Sequence, residues 1–246
     1  MILGIMGGIG SGKSTVTSMF VENGAAALSA DEIAHDVIQL PEIREEIRSW
    51  MGDEVVGQDG RVDRNAVARR VFSNPGDPSE LRRLETLLHP EIRRRISARI
   101  EAFRALPGSR GQVLVLDVPL LAGSPFEKVC DAIVYVDAPA EERRRRTARR
   151  GWDETEFERR ETQQKPTEQK KEIADLYLDN SGLLEKTRTQ VRALYEKLTE
   201  SEATNGAAKK TREGARTGEG NTREAKEIAR RDDQRRDVVP NVKESP

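Results

Sequence analysis

Eight residues near the start of the chain form a pattern that binds phosphate. Residues 7–14 match G-x-x-x-x-G-K-[ST] in full, ending in Gly12-Lys13-Ser14. Glycines let backbone N–H groups converge on phosphate oxygens, the lysine supplies a mobile positive charge, and the serine hydroxyl can bind Mg²⁺. We therefore expect the nucleotide-binding residues to be Gly8, Gly10, Ser11, Gly12, Lys13, Ser14 and Thr15, with Ser14 also a Mg²⁺ ligand.

The elements around this loop predict the fold. Residues 2–6 form a short apolar run before it, and residues 13–23 have helical spacing after it. Further apolar runs cover residues 25–30, 113–116, 132–136 and, more weakly, 176–178. Helical spacing fills most of residues 32–106 and returns at 182–198. Short strands separated by helices predict an α/β fold with a five-stranded parallel sheet flanked by helices.

Four of the predicted strands run into aspartates, and two of these, Asp31 and Asp117, are the candidates for chemistry. The carboxyl ends of parallel strands meet at one edge of a sheet, where ligands of open α/β sheets bind. A carboxylate after such a strand can hold Mg²⁺ beside a phosphate loop, which is the role we expect for Asp117. Either aspartate could instead cap the helix or turn that follows.

Composition divides the chain in two. Of all 246 residues, 35% are charged and 35% hydrophobic. Residues 201–246 contain no aromatic residue and carry 11 Lys and Arg against 9 Asp and Glu. So few apolar side chains cannot offset the entropy lost on ordering the backbone. We expect a folded domain at 1–200 and a disordered charged tail at 201–246.

Charge and hydropathy exclude several classes of protein. The net charge is −1, so no overall field draws the chain to nucleic acid or to a membrane surface. No apolar run approaches the roughly 20 residues that span a bilayer. The single cysteine forms neither an internal disulfide nor a thiolate metal site. These features favour a cytoplasmic protein without nucleic-acid or membrane partners, either a monomer or a weak homo-oligomer.

Five blocks of sequence, in family order, resemble the dephospho-CoA kinases. The phosphate loop with Thr15 is the first, and the later blocks make the match specific because they include a His-Pro pair and an Asp-x-Pro-Leu-Leu run. They lie at residues 30–34, 84–92, 117–121 and 174–182. The resemblance spans about residues 1–200.

The resemblance implies a P-loop kinase that uses ATP and Mg²⁺. Its reaction would transfer the γ-phosphoryl group of ATP to the ribose 3′-hydroxyl of dephospho-CoA, the last step of coenzyme A synthesis. It also implies a helical acceptor-binding insertion at about 32–105 and an Arg-rich lid at about 140–170.

The resemblance assigns roles to individual residues. Asp31 would be the general base or would only orient the acceptor hydroxyl, and Lys13 and Arg146 would act on the phosphates as catalytic residues. Most other arginines of residues 143–150 are expected on a solvated helix face. Asn180 would lie near the adenine of ATP. The remaining acceptor contacts would be His89, Asp117, Leu120 and Arg160.

Three positions carry particular expectations. Pro90 restricts His89 to an extended or turn conformation. His35 occupies a place where the family commonly has arginine, so a fixed positive contact there is weakened. The family's aromatic-acid pair after residue 121 is replaced by Ala122-Gly123, and we expect Phe126 and Glu127 to take its place.

Two other classes of protein fit the residues less specifically. One is a different small-metabolite or nucleoside monophosphate kinase of the same architecture. The other is a nucleotide-dependent regulatory module whose tail recruits a partner.

Overall fold

The centre of the molecule is a sheet of five parallel strands, as the sequence predicts. The computed structural model describes residues 1–72, 77–109 and 111–200. Across the sheet the order is β2-β3-β1-β4-β5. The strands are β1 Ile2–Gly7, β2 Ala26–Ser29, β3 Leu114–Asp117, β4 Ala132–Asp137 and β5 Leu176–Asp179.

Strand β1 lies in the middle of the sheet and pairs with β3 on one side and β4 on the other. The chain winds from β1 to β2 and β3 on one side and then to β4 and β5 on the other. The loop after β1 therefore lies at the point where the winding reverses, which is where open parallel sheets bind ligands.

Nine helices surround the sheet within the part of the chain that the structure describes. Two single 3₁₀ turns, Asp53–Val55 and Glu127–Val129, add to them. The helices are α1 Lys13–Glu22, α2 Ala30–Val37, α3 Pro41–Met51, α4 Arg64–Val71, α5 Ser79–Ala105, α6 Ala140–Ala148, α7 Glu154–Thr162, α8 Thr167–Ile173 and α9 at residues 184–200.

Both faces of the sheet are buried, which explains the continuous apolar strands. Ile2 and Met6 of β1 face one core, which the helices between β2 and β3 cover. Leu3 and Ile5 face the other core, formed largely by α1 and α9. The alternation along β1 follows from the period of two in a strand.

The segment between β2 and β3 is helical, as predicted, apart from one bridge between Val56 and Val62. A turn at residues 58–60 connects the two sides of that bridge. Residues 73–76 lie outside the described residues.

The prediction of an extended or turn conformation at His89 is wrong. Both His89 and Pro90 lie inside α5. A proline inside a helix removes one backbone hydrogen bond and costs about 3 kcal/mol. Here the helix continues because Ile96, Ile100 and Phe103 are buried after the proline, and Leu84, Leu87 and Leu88 pack on the core before it.

No helix in the described ranges is long and apolar enough to cross a membrane. The charged tail predicted at 201–246 lies outside the described residues.

Candidate active site

The loop between β1 and α1 has the backbone shape that its glycines allow. Gly10 and Gly12 have φ of 74° and 94°, a region that residues with a Cβ avoid. A Cβ on Gly8 would lie 2.6 Å from Nη1 of Arg143, and one on Gly10 would lie 2.6 Å from the Arg143 carbonyl oxygen. The glycines thus permit both the turn and the close approach of α6.

Lys13 begins α1 and folds back over the loop. Its Nζ donates to the carbonyl oxygens of Gly7 and Gly8, at 3.2 Å each. Burial lowers the pKa of Lys13, and the charges of Asp117 and Glu161 oppose that shift. The ammonium therefore lies against the loop carbonyls, within electrostatic range of two carboxylates.

Asp31 and Asp117 lie at neighbouring strand ends. Ser29 of β2 is the register partner of Asp117 in β3, and Asp31 follows Ser29 by two residues in the first turn of α2. The N-cap of α2 is Ser29, whose hydroxyl accepts from the Glu32 N–H at 3.3 Å. Asp31 is exposed and does not cap the helix, so the capping alternative is wrong for this residue.

Asp117 is partly buried at the end of β3. Burial raises its pKa, the attraction of Lys13 lowers it, and the repulsion of Asp31 raises it further. Asp117 therefore lies within electrostatic range of both Lys13 and Asp31.

The residues predicted to hold Mg²⁺ fit a magnesium ion bound together with phosphate. Ser14 is exposed in the first turn of α1, next to Lys13, and Asp117 ends β3, which pairs with β1. In the described ranges no group of three or more His, Cys, Asp or Glu side chains could hold a metal. Magnesium commonly takes one or two protein oxygens and completes its shell with phosphate oxygens and water, which is the donor set available here.

Arg146 and Asn180 hold the loop from outside. Arg146 donates from Nη1 to the Ser11 carbonyl at 3.1 Å and from Nη2 to the Asn180 carbonyl at 2.7 Å. Its Nε donates to Glu142 at 2.8 Å. The Asn180 amide donates to the same Ser11 carbonyl at 2.7 Å. Within the described residues, three of the five N–H donors of Arg146 are therefore engaged, and two remain for a ligand.

Arg143 is the main residue that the sequence interpretation missed. It was grouped with the arginines of a solvated helix face, yet it is only 8% exposed. Its Nη1 donates to the Ile9 carbonyl at 3.2 Å and to both Glu161 carboxylate oxygens at 2.8 and 2.9 Å. Arg143 precedes Arg146 by three residues, so both lie on one face of α6. That spacing was the signal available in the sequence.

An open cleft lies beside the loop, on the side of β5. Thr15, Arg146, Asn180 and Leu183 line it. The structure thus brings Arg146, predicted to act on the phosphates, together with Thr15 and Asn180, predicted to bind the nucleotide. Leu183 is 82% exposed there.

The predicted acceptor residues are not all brought together. Leu120 lines a cleft with Lys13, close to Asp117. Arg160 lies on α7, stacks over Trp152 at 4.1 Å and pairs with Glu156. It lines a different cleft, with Phe72 and Leu81. His89 is exposed on α5.

The proposed replacement of the family's aromatic-acid pair is wrong. Phe126 is 7% exposed and packs in the core. The Glu127 carboxylate accepts a hydrogen bond from the Gly123 N–H. Phe126 therefore packs in the core and Glu127 stabilises the loop after β3. Neither side chain lines the cleft beside Lys13.

His35 has an arginine as its neighbour. Nη1 of Arg64, at the start of α4, lies 3.0 Å from Nδ1 of His35. A guanidinium group thus lies beside the His35 imidazole.

The phosphate loop lies where the winding of the sheet reverses. Helices α6, α7 and α8 (the lid helices) approach it. This arrangement is that of a P-loop kinase. The sequence pattern of the family described as dephospho-CoA kinase matches residues 1–186. The chain belongs to the dephospho-CoA kinase family.

Individual relatives agree with this assignment. A dephospho-CoA kinase of Leifsonia xyli is 40% identical over 197 residues, covering 79% of this chain and 96% of the relative. That of Deinococcus radiodurans is 39% identical over 198 residues, covering 80% and 91%. A solved structure from Thermus thermophilus, 38% identical, superposes with a TM-score of 0.63 over 81% of this chain and 97% of its own.

A more distant solved structure shares the fold. The dephospho-CoA kinase of Campylobacter jejuni is 20% identical and superposes with a TM-score of 0.63, covering 81% of this chain and 98% of its own.

Proposed function

We propose that the protein transfers the γ-phosphoryl group of ATP to the ribose 3′-hydroxyl of dephospho-CoA, giving coenzyme A and ADP. The observation that carries this proposal is the placement of Lys13 after β1, of Asp31 after β2 and of Asp117 at the end of β3, which pairs with both, in a chain of this family. Phosphoryl transfer depends mostly on positioning and charge neutralisation, and these three side chains can supply both.

The phosphate loop would bind ATP through its backbone. The N–H groups of residues 8–15 open helix α1, whose N-terminus attracts anions. Lys13 now donates to two loop carbonyls and would exchange these bonds for oxygens of the outer phosphates. The Ser14 hydroxyl and the Asp117 carboxylate would hold Mg²⁺, which neutralises phosphate charge.

Asp31 would receive the acceptor hydroxyl. It is exposed at the sheet edge and close enough to Asp117 to raise the pKa of that carboxyl. As a carboxylate it can accept a hydrogen bond from the hydroxyl and align the oxygen with the phosphorus atom. It can also take the proton as the new bond forms, leaving a neutral carboxylic acid.

The lid helices would exclude water from the phosphoryl group. Arg143 and Arg146 anchor α6 to the loop through the carbonyls of Ile9 and Ser11. The two unused donors of Arg146 would bind phosphate oxygens. Excluding water favours transfer to the hydroxyl over hydrolysis.

A coupled assay of ADP formation tests the proposal. The purified protein with ATP and Mg²⁺ is expected to form ADP with dephospho-CoA at least about 100-fold faster than with water alone, since lid closure favours the bound hydroxyl. Shikimate, gluconate and nucleosides serve as acceptors for other kinases of this architecture. Faster turnover with any of these would assign the protein a different substrate.

Transfer to no acceptor at all, with ATP bound, would favour the nucleotide-dependent regulatory module instead.

A further inference from the structure

Lys170 is a buried lysine to which neither the sequence nor the proposed function gives a role. It lies on α8 and is 5% exposed. Its Nζ donates one hydrogen bond, to the neutral side-chain oxygen of Gln164, at 2.6 Å. In the described ranges no carboxylate lies within ion-pair distance of it. An ammonium group has three N–H donors, so two remain for a ligand.

The position of Lys170 is beside the phosphate loop. Helix α8 packs against β1 and β4. Lys170, Lys165 and Lys13 line one cleft with Pro119 and Leu120 of the loop after β3. Lys13 enters this cleft from the phosphate loop and Lys170 from the lid, so the two lysines approach the same space from different elements.

The charges around Lys170 favour an anion. Burial lowers its pKa to about 8, and the nearby charges of Lys13 and Arg143 lower it as well, while Glu161 opposes them. Both carboxylate oxygens of Glu161 already accept from Arg143. Because Lys165 also lines the cleft, the cations exceed the anions there until a ligand arrives.

The buried charge opposes folding of the free protein. Taking an ammonium out of water without a counter-ion is costly, and a methionine of similar length would fill the same space without that cost. Packing alone therefore does not explain a lysine at this position. An anion placed between Lys13 and Lys170 would offset the cost.

The anion that fits is a phosphoryl group. The phosphate loop presents the outer phosphates of a nucleotide at Lys13, and Asp31 and Asp117 line the side where an acceptor hydroxyl would lie. A group in transit spreads negative charge over three equatorial oxygens. Two compact ammonium groups, one on each side of the phosphoryl group, can stabilise that charge as the group moves.

We propose that Lys170 is a second phosphate-binding lysine, which contacts the phosphoryl group during its transfer from ATP, opposite Lys13. This inference rests on the proposed function and adds a residue of the lid helices to the catalytic group.

Replacing Lys170 with methionine tests the contact. Lys170→Met is expected to lower kcat by about 100-fold, the effect of removing one donor aimed at transition-state charge. The KM values for ATP and dephospho-CoA are expected to change less than about 3-fold, because the contact matters most in the transition state. The matched control is Lys171→Met, on the same helix, whose side chain is 38% exposed and pairs with Asp137; its kcat is expected within about 2-fold of the wild type.

Thermal unfolding separates this role from a structural one. Because the variant loses a buried charge, the melting temperature of Lys170→Met is expected to equal or exceed that of the wild type. A fall in melting temperature together with kcat would show a structural role and overturn the inference. An unchanged kcat would overturn it equally.

The pH dependence gives a second readout. If Lys170 must be protonated, kcat/KM of the wild type falls as pH rises through about 8, the value to which burial lowers its pKa. Lys170→Arg stays protonated throughout this range and is expected to lose that basic limb. An identical limb in both proteins would contradict the assignment.

ATP hydrolysis without an acceptor distinguishes a failure of the proposed function from a failure of the Lys170 inference. If dephospho-CoA is not phosphorylated by the wild type, the proposed function fails. A loss of ATP hydrolysis in Lys170→Met, with hydrolysis retained in Lys171→Met, would still support the phosphate contact.

Discussion

Asp31 and Asp117 are two carboxylates on neighbouring strands whose surroundings differ. Asp117 is partly buried and within electrostatic range of Lys13, and its pKa is raised by burial, whereas Asp31 is exposed at the start of α2. The difference suits two tasks. A carboxylate beside the phosphates can hold a metal ion, and an exposed one can meet an incoming hydroxyl.

Removing the Asp31 carboxylate tests whether this group assists the acceptor hydroxyl. Asp31→Ala is expected to lower turnover by about 100-fold or more, because general-base assistance contributes about 10²–10⁴. Affinity for ATP, measured by calorimetry, is expected to stay within a few-fold. Asp36→Ala, an exposed position on the same helix, is the control and should leave both unchanged. Near-normal turnover in Asp31→Ala would remove this residue from the mechanism.

The residues that sequence reasoning found are those with a local signal. The phosphate loop is contiguous, and the two aspartates follow apolar strands. The only local signal for Arg143 is its spacing of three residues from Arg146, and Lys170 has none. Both lie in charged helices, and their burial distinguishes them from their exposed neighbours.

At the scale of elements, the phosphate loop depends on helix α6. The helix approaches so closely that Gly10 and the backbone of Arg143 leave no space for a Cβ. Arg143 is held in turn by Glu161 of α7. The first two lid helices and the loop therefore pack as one group.

A pair of glycine substitutions separates this contact from backbone strain. Gly10→Ala and Gly60→Ala both place a Cβ at similar positive φ, 74° and 72°, which costs about 1–2 kcal/mol. A Cβ on Gly60 meets no atom within 4 Å. Both variants are expected to lose stability to denaturant, but only Gly10→Ala is expected to weaken ATP binding, by about 10-fold or more.

Equal ATP affinities in the two alanine variants would show that the contact between α6 and the loop does not shape the nucleotide site.

The periodicity of apolar residues predicted the helices and strands well. One local rule, on the residue before a proline, failed. The apolar runs gave all five strands to within a residue or two because burial on both faces leaves a continuous signal. The rule that a residue before proline avoids helix failed at His89, since α5 buries apolar side chains on both sides of Pro90. Tertiary packing there outweighs the local preference.

At the scale of the whole molecule, the apolar residues are gathered in 1–200. Helix α9 closes the second core with Val191 and Leu198. Residues 201–246 offer few apolar side chains to extend that core, and their composition is the basis for treating them as an appendage.

A chain ending at residue 200 tests this division. It keeps Leu198 and the rest of the buried core, so its melting temperature is expected within about 2 °C of the full chain, a shift that corresponds to less than 1 kcal/mol. Its kcat with dephospho-CoA is expected to be unchanged. A clear loss of either would show that the tail contributes to the folded enzyme.

The central claim is that this site phosphorylates one particular hydroxyl. The most direct measurement is the identity of the product formed from ATP and dephospho-CoA, by mass spectrometry and phosphorus NMR. We expect one added phosphate, on the ribose 3′-oxygen, in a compound identical to coenzyme A. Phosphate on any other atom, or ADP and inorganic phosphate without a phosphorylated acceptor, would contradict the account.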